Sequence, residues 1–379
     1  MQVIISSSCP LGGGGQGNVV RYFAEGLYVK GILHSAITSR LVHADIPYDK
    51  IIETYPIIAG LVYKIPRLKW NLKSLIRDRL HDILASYKIR QCDILYGWAN
   101  NSLLTFKKAQ ELNIITCLEV PTSHISNRLK IIKEEELRWG LIPDNCEVHE
   151  KIQLAEYENT DYIIVPSVWA YQSFVERKFP KDKIKIRPYG VNLAQFTPNR
   201  ALSCKFRVIF VGALLLHKGF QYLLEAWQRI HLPQSELVIA GRIFLKSRKI
   251  LRQFAHLTNV EIIGEVKDVK KLYNTSSVFV FPSLEEGSAL VTYEALACGL
   301  PVITTFEAGS VVRDVVDGFI IPSRNPTAIA EKICYLYEHP NILKEMSYNA
   351  RKRAEEFTWE KSVNKLIEIY SEILCTHST

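Results

Sequence analysis

The stretch FPSLEEGSALVTYEALACGLPVI, residues 281–303, has the order of a strand, an acidic loop, a helix and a second strand. The helix is predicted to begin near Ala289 or Leu290 and to stop at Gly299. Because a loop that enters a helix presents free backbone N–H groups and the positive end of the helix dipole, it favours an anion such as a diphosphate. We therefore expect the amides of Ser288, Ala289 and Leu290 to bind one.

The same alternation of β-branched runs and helical patterns continues on both sides of this stretch, which is typical of parallel α/β units. The strands predicted in the first half are residues 3–7, 35–38, 94–96, 114–120, 162–166 and 185–189. Those predicted in the second half are residues 207–211, 236–240, 260–263, 278–281, 302–304 and 319–321. The sequence thus predicts the α/β class, with two doubly wound parallel sheets and a cleft lined by strand-to-helix loops.

The length of the chain, 379 residues, exceeds what one hydrophobic core usually organises, so two domains are expected. The segment from Gly190 to Cys204 contains a proline and no sustained period, which suits a crossing between domains. Apolar residues at helical spacing from Trp359 to Leu374 predict a closing helix with no strand after it. We therefore divide the chain into residues 1–190, 191–356 and 357–379.

The composition is that of an ordinary folded protein, with 47% hydrophobic and 23% charged residues. The N-terminal apolar run enters a glycine loop with no basic region before it, so no signal peptide is expected. No uncharged stretch is long enough to span a bilayer. The eight cysteines show neither a CxxC pair nor the spacing of metal ligands, which favours reduced thiols in a cytoplasmic protein and predicts no metal site.

The net charge of +8 suggests contact with an anionic ligand or surface. The segment from Tyr63 to Arg90 carries eight basic residues between apolar ones. A helix lying on an anionic membrane has this pattern, but so does a solvated helix face packed on its own domain, which the sequence favours. A nucleic-acid partner is not expected, because the basic residues lack the aromatic interleaving of a known module.

Three further stretches place polar groups on the predicted cleft. In VIFVGALLLHKGFQYLLEAW, residues 208–227, Lys218 follows a strand and suits a phosphate charge. In CPLGGGGQGNVV, residues 9–20, glycines allow the backbone to approach a phosphate or a sugar closely. In LEVPTSHISNRL, residues 118–129, the strand breaks at Pro121 and places His124 on a cleft loop, where it can donate a hydrogen bond. In isolation Lys218 and His124 would be interpreted as exposed loop residues, and their position after strands favours a site.

These stretches together resemble the retaining glycosyltransferase family 4, whose fold is GT-B, with two Rossmann-like domains facing a cleft. The strongest match is the pair Glu286 and Glu294, which have seven residues between them in the context EGS...EALACGLPVI. The resemblance implies that Glu286 holds the donor sugar and that Glu294 holds the nucleotide ribose. Glu285 is the alternative for the first position. His124 is implied to contact the sugar near the reacting carbon.

The resemblance also assigns the groups around the donor diphosphate. Lys218, Gly14 and Gly15 are implied to hold it. Ala213 stands where the family has an arginine that also binds the diphosphate, so more of the charge neutralisation is left to Lys218. The loops that are implied to touch the nucleotide contribute Arg242 and Val266.

The implied reaction transfers a glycosyl group from a nucleoside diphosphate sugar to an unidentified acceptor, with retention of anomeric configuration and without metal or cofactor. We expect a cytoplasmic protein, or one peripheral at the inner face of the membrane, that acts in polysaccharide, glycolipid or glycoconjugate synthesis. One alternative is an NAD(P)-dependent oxidoreductase, since Gly12, Gly14 and Gly17 satisfy GxGxxG, although Ser39 and Arg40 follow the next strand instead of an acidic residue. The other is a protein that binds nucleotide sugar without transferring it.

Overall fold

The computed structural model describes residues 1–55, 70–199 and 205–377 of the chain. The first set of strands is β1 (Val3–Ser7), β2 (Leu33–Thr38), β3 (Ile51–Glu53), β4 (Ile94–Trp98), β5 (Ile115–Glu119), β6 (Tyr162–Val165) and β7 (Ile184–Ile186). The second set is β8 (Phe206–Val211), β9 (Ser235–Ala240), β10 (Val260–Gly264), β11 (Val278–Phe281), β12 (Val302–Thr305) and β13 (Gly318–Ile321).

Helices alternate with these strands in the part of the chain that the structure describes. The N-terminal helices are α1 (Gly15–Val29), α2 (Trp70–Ser86), α3 (Leu103–Glu111), α4 (Ile125–Arg138), α5 (Glu147–Glu158) and α6 (Val168–Val175). The later helices are α7 (Phe220–Trp227), α8 (Leu245–Leu251), α9 (Val269–Asn274), α10 (Leu290–Ala297), α11 (Pro326–Glu338), α12 (Pro340–Glu355) and α13 (Trp359–His377).

The strands form two parallel sheets, one of seven strands in the order β3-β2-β1-β4-β5-β6-β7 and one of six in the order β10-β9-β8-β11-β12-β13. The prediction of two doubly wound parallel sheets is confirmed. The strand order reverses between β1 and β4 in the first sheet and between β8 and β11 in the second. In open sheets of this kind, ligands bind outside the carboxyl ends of the strands next to such a reversal.

Most of the predicted strands agree with the structure because their sequences are short and largely apolar, as expected for strands covered by helices on both faces. Every residue of β1, β4 and β11 is buried. The strand missed from the sequence is β3, which has only three residues and a single buried one. The predicted strand 185–189 ends early, at Ile186, before Pro188; a proline cannot donate to the ladder.

The closing helix α13 packs against α1 of the first domain. The rings of Tyr22 and Trp359 stack with their centroids 4.5 Å apart. Gly26 lies so close to α13 that an added Cβ would be 2.4 Å from Cγ2 of Val363. The end of the chain is therefore tied to its beginning. The domain limits after residues 190 and 356 stay a prediction, and residues 200–204 of the predicted crossing lie outside the described residues.

The predicted basic segment is described only in part. Residues 63–69 lie outside the described residues, and the rest forms α2 and the turn that follows it. In the described ranges, none of the helices has the length and apolar character needed to cross a membrane.

Candidate active site

The loops after β8 and β11 meet at an ion pair between two of the predicted site residues. Nζ of Lys218 lies 2.5 Å from Oε1 of Glu286, and both side chains are about one-fifth exposed. Gly219 makes the approach possible: its φ is +76°, and an added Cβ would lie 1.9 Å from the carbonyl oxygen of Pro282. A side chain at this position would push the two loops apart, so the glycine fixes the geometry of the pair.

The loop from Glu286 to α10 is held by hydrogen bonds to the loop that follows β12. The amide of Glu286 donates to the carbonyl of Glu307, and the amide of Ala289 donates to the carbonyl of Ala308. This corrects the expectation that the Ala289 amide is available to an anion. The amides of Ser288 and Leu290 make no hydrogen bond to other described residues, so these two of the predicted donors stay available at the start of α10.

Glu294 lies inside α10, where its side chain contacts the buried Tyr273 of the second domain. The hydroxyl of Tyr273 donates a hydrogen bond of 3.1 Å to its Oε2. Burial raises the pKa of Glu294 to about 7. Near neutral pH the carboxyl group can therefore either donate or accept a hydrogen bond, and a ribose hydroxyl suits both states. Its role in binding ribose stays a prediction.

His124 caps the N-terminus of α4. Its Nδ1 accepts a hydrogen bond of 3.3 Å from the amide of Ser126, which places the ring proton on Nε2. The ring packs against Tyr157 and Phe174, each with a centroid distance of 5.0 Å. Burial lowers the pKa of His124 to about 4. At neutral pH His124 is therefore an uncharged donor through Nε2, and not a cation.

The glycine loop divides into two kinds of position. An added Cβ at Gly12 would lie 2.0 Å from the carbonyl oxygen of His43, and one at Gly17 would lie 2.2 Å from that of Pro10. These two glycines serve the folding of the loop itself. At Gly14 and Gly15 an added Cβ would meet nothing within 4 Å, so these are the positions with open space for a ligand.

The two loop residues predicted to touch the nucleotide besides Glu294 lie at the same edge of the second sheet as Lys218. Arg242 follows β9, its guanidinium lies 5.2 Å from the centroid of the Phe244 ring, and its carbonyl accepts from the amide of Leu214. Val266 follows β10 and is partly buried against the core. Because β10, β9 and β8 are neighbours, Val266, Arg242 and the loop containing Ala213 are consecutive along this edge.

No group of three or more side chains suited to hold a metal ion occurs within the described ranges.

Comparison with known proteins gives a consistent result. Residues 205–339 match the family profile described as Glycosyl transferases group 1. Over 234 residues the chain is 31% identical to the capsular polysaccharide biosynthesis glycosyltransferase CapM of Staphylococcus aureus, covering 55% of this chain and 62% of that protein. Sucrose-phosphate synthase from Thermosynechococcus elongatus superposes with a TM-score of 0.73 at 21% identity, covering 99% of this chain and 100% of the other. Anabaena HepE in complex with UDP-glucose superposes with a TM-score of 0.67 at 14% identity, covering 98% and 100%.

The fold is GT-B. The similarity to glycosyl transferases group 1 lies in residues 205–339, the part of this GT-B chain that contains the second sheet. The alignments span about half to two thirds of the length of the first curated relatives matched, from 48% to 65%.

Contacts across the GT-B cleft involve Glu285, which the sequence offered only as the alternative to Glu286, and residues that it did not single out. Glu285 is buried, and its Oε1 accepts a hydrogen bond of 3.0 Å from the amide of Ser123 in the first domain. Its Oε2 lies 3.3 Å from Nε of Arg128. The hydroxyl of Ser167 donates to the carbonyl of Gly287 at 2.5 Å. Glu285 thus faces the opposite domain, whereas Glu286 faces Lys218.

A second contact between the two GT-B domains is centred on Glu135 of α4. This carboxylate is fully buried. It accepts hydrogen bonds from the side chains of Trp139, Gln221, Tyr222 and Arg324. Beside it, Lys246 bridges Glu136 and Asp144 at 2.6 and 2.9 Å. Helix α4 therefore carries His124 at one end and an interdomain ion cluster at the other. The only sequence signal for this cluster is the run of three acidic residues 134–136.

Proposed function

We propose that the protein is a retaining, metal-independent hexosyltransferase that uses a nucleoside diphosphate sugar. The observation that carries this proposal is the Lys218–Glu286 pair beside the start of α10. A cation and two backbone amides suit a leaving diphosphate, while a carboxylate beside them suits sugar hydroxyls. The match of the second domain to glycosyl transferases group 1 supports the same reaction class.

In this proposal Lys218 and Glu286 pair with each other before the donor binds. The diphosphate takes Lys218 as its counter-charge, and Glu286 is then released to accept hydrogen bonds from the donor sugar. His124 donates one hydrogen bond from Nε2 to the sugar, because its Nδ1 is already an acceptor for the amide of Ser126. The leaving phosphate itself takes the acceptor proton on the same face, so that Glu286 and His124 position and stabilise the sugar without attacking it. Gly14 and Gly15 approach the diphosphate from the first domain.

The oxidoreductase alternative is disfavoured by the glycine loop. The space that a Cβ would need at Gly12 and Gly17 is occupied by the carbonyl groups of His43 and Pro10, respectively. Two of the three glycines of the fingerprint are therefore explained by the fold of the loop, and a dinucleotide is not needed to account for them. A protein that binds nucleotide sugar without turnover differs from the proposed enzyme only in the absence of product.

The site of action is also a proposal. The exposed side of α2 carries the apolar side chains of Leu72, Ile76 and Ile83, which lie on one stripe of the helix because they are four and seven residues apart. This surface, next to the basic residues of the same segment, supports peripheral contact with an anionic membrane. The similarity to CapM supports a role in polysaccharide synthesis. Vesicle co-sedimentation that shows no salt-sensitive binding would remove the membrane proposal.

The decisive experiment is mass-spectrometric detection of nucleoside diphosphate release from a panel of UDP-, GDP- and ADP-sugars. Release from one donor should be abolished in Glu286→Gln. Glu307→Gln is the matched control, because that carboxylate lies on the neighbouring loop and accepts from Ser323 instead of Lys218. Release from none of the donors, or equal release by Glu286→Gln, would contradict the proposal. Binding of a donor without release by the wild type would favour the non-catalytic alternative.

A further inference from the structure

Arg128 reaches from the first domain into the loop that carries Glu286. It lies one turn beyond His124 on α4, on the same side of the helix. Its Nε is 3.3 Å from Oε2 of Glu285, and about one-third of its side chain is exposed. A buried carboxylate of the second domain therefore holds one end of the guanidinium and leaves the other end towards solvent.

Most N–H groups of Arg128 have no hydrogen-bond acceptor among the described residues. Nε is buried and has no well-aligned acceptor. Apart from the contact with Glu285, no hydrogen bond from Nη1 or Nη2 to another described residue is found. A guanidinium presents five N–H donors in a planar fork that matches phosphate oxygens. Most of the N–H donors of the Arg128 guanidinium are therefore available to a ligand.

The cationic side chains of Arg128 and Lys218 are each already balanced by a carboxylate, so little positive charge is left over for a diphosphate. Lys218 is already paired with Glu286, and Arg128 lies against Glu285. Both cations lie near the same buried residue, His217. Burial is the largest cause of its lowered pKa, and the charges of Lys218 and Arg128 lower that pKa further. Two positive and two negative side chains thus surround one short loop. A diphosphate with at least two negative charges needs more than Lys218 to offset them.

We propose that Arg128 binds the donor diphosphate from across the cleft together with Lys218, and that Glu285 positions the guanidinium through Nε. This inference rests on the proposed function, since it names a further residue of the same donor site. Because Arg128 and Lys218 belong to different domains, the diphosphate is bound by both only when the domains are closed. The competing explanation is that Arg128 only clasps the two domains together through Glu285.

The test is calorimetric titration of the wild type, Arg128→Gln and Arg128→Lys with UDP, GDP and ADP and with the matching nucleosides. Arg128→Gln should weaken binding of the nucleoside diphosphate about ten- to a hundredfold, as for loss of a hydrogen bond to a charged group, and leave nucleoside binding unchanged. Arg128→Lys should retain part of the affinity, because a lysine keeps the charge but not the fork. Arg138→Gln is the matched control, at the exposed far end of the same helix, and should bind both ligands as the wild type does.

Two outcomes would overturn the inference while the proposed function stands. One is unchanged affinity of Arg128→Gln for the diphosphate. The other is an equal loss for diphosphate and nucleoside, which a clasp between domains would produce. If the wild type binds none of the three diphosphates, the proposed function falls and the inference falls with it.

Discussion

The two domains share one architecture, but their sites are built differently. In the second domain, Lys218, Glu286 and Glu294 lie in two loops and one helix next to the strand reversal, and strand-to-helix turns together with contacts inside the same domain position them. In the first domain, His124 caps α4 and packs on residues of its own domain, whereas Arg128 on α4 meets the site through its contact with Glu285 of the other domain. Short-range geometry leaves a recognisable sequence motif, whereas a fit between domains leaves almost none.

The largest effect on stability is expected at Gly219, where the second domain depends on a left-handed backbone conformation. Gly219→Ala places a Cβ 1.9 Å from the carbonyl of Pro282 at a φ of +76°. We expect a loss of about 5 kcal/mol or more in the free energy of unfolding. Gly14→Ala is the matched change in the first domain, with a φ of +69° but nothing within 4 Å. It should lose only about 1–2 kcal/mol, from backbone strain alone.

Chemical denaturation of both variants measures this difference. If Gly219→Ala were no less stable than Gly14→Ala, the loops after β8 and β11 could move apart without lowering the free energy of unfolding. The pairing of Lys218 with Glu286 would then not depend on Gly219, and the contrast between the domains would lose its basis.

The next effect concerns the interface that joins the domains. Glu135→Gln leaves Arg324 facing a neutral group at a buried position, and we expect a loss of about 3 kcal/mol. Glu134→Gln is the matched control, because Glu134 is 49% exposed and lies 3.6 Å from the same guanidinium; an exposed pair contributes below about 1 kcal/mol. Thermal unfolding gives both values, and small-angle scattering detects opening of the domains. Equal effects of the two changes would show that the cluster is not an interdomain anchor.

The contrast also explains what the sequence could and could not predict. The strands of both sheets could be predicted because apolar runs that end at Gly or Pro are local patterns. The loop before α10 could be predicted because a helix start follows a strand. The engaged amide of Ala289 could not be predicted, since its acceptor, Ala308, lies beyond the next strand. The neutral state of His124 depends on packing against Tyr157 and Phe174, which are distant in sequence. Glu285 could not be told from Glu286 by any local rule, because the two differ only in the domain they face.

The smallest effect compares two buried carboxylic acids, one in each domain. Burial raises the pKa of Glu294 to about 7 and that of Glu156 to about 8, from an ordinary value of 4.5. Glu156 accepts hydrogen bonds from the amides of Asn100 and Ser102 in the first domain, a structural role. The folded state of each holds a proton that the unfolded state has lost. Each therefore makes stability fall as pH rises above about 4.5, until its own folded pKa is passed.

Glu294→Gln and Glu156→Gln remove these contributions one at a time. Between about pH 5 and pH 6.5, each variant should gain about 2 kcal/mol relative to the wild type, since the slope approaches 1.36 kcal/mol per pH unit for one proton. Above about pH 7 the gain should level off for Glu294→Gln but continue to about pH 8 for Glu156→Gln. Denaturation at a series of pH values measures both curves. A Glu294→Gln curve parallel to that of the wild type would mean that Glu294 is ionised in the fold.

The same pair separates electrostatics from function. Because the two acids respond to pH in the same direction, a difference in ligand binding between the variants cannot come from stability alone. We expect Glu294→Gln to weaken nucleoside binding and to leave 2′,3′-dideoxynucleoside binding nearly unchanged, since the ribose hydroxyls are the groups it is proposed to meet. Glu156→Gln should bind both as the wild type does. If both variants lost nucleoside affinity equally, Glu294 would be a second structural acid like Glu156, and the ribose contact would have to be sought in the neighbouring loops that carry Arg242 and Val266.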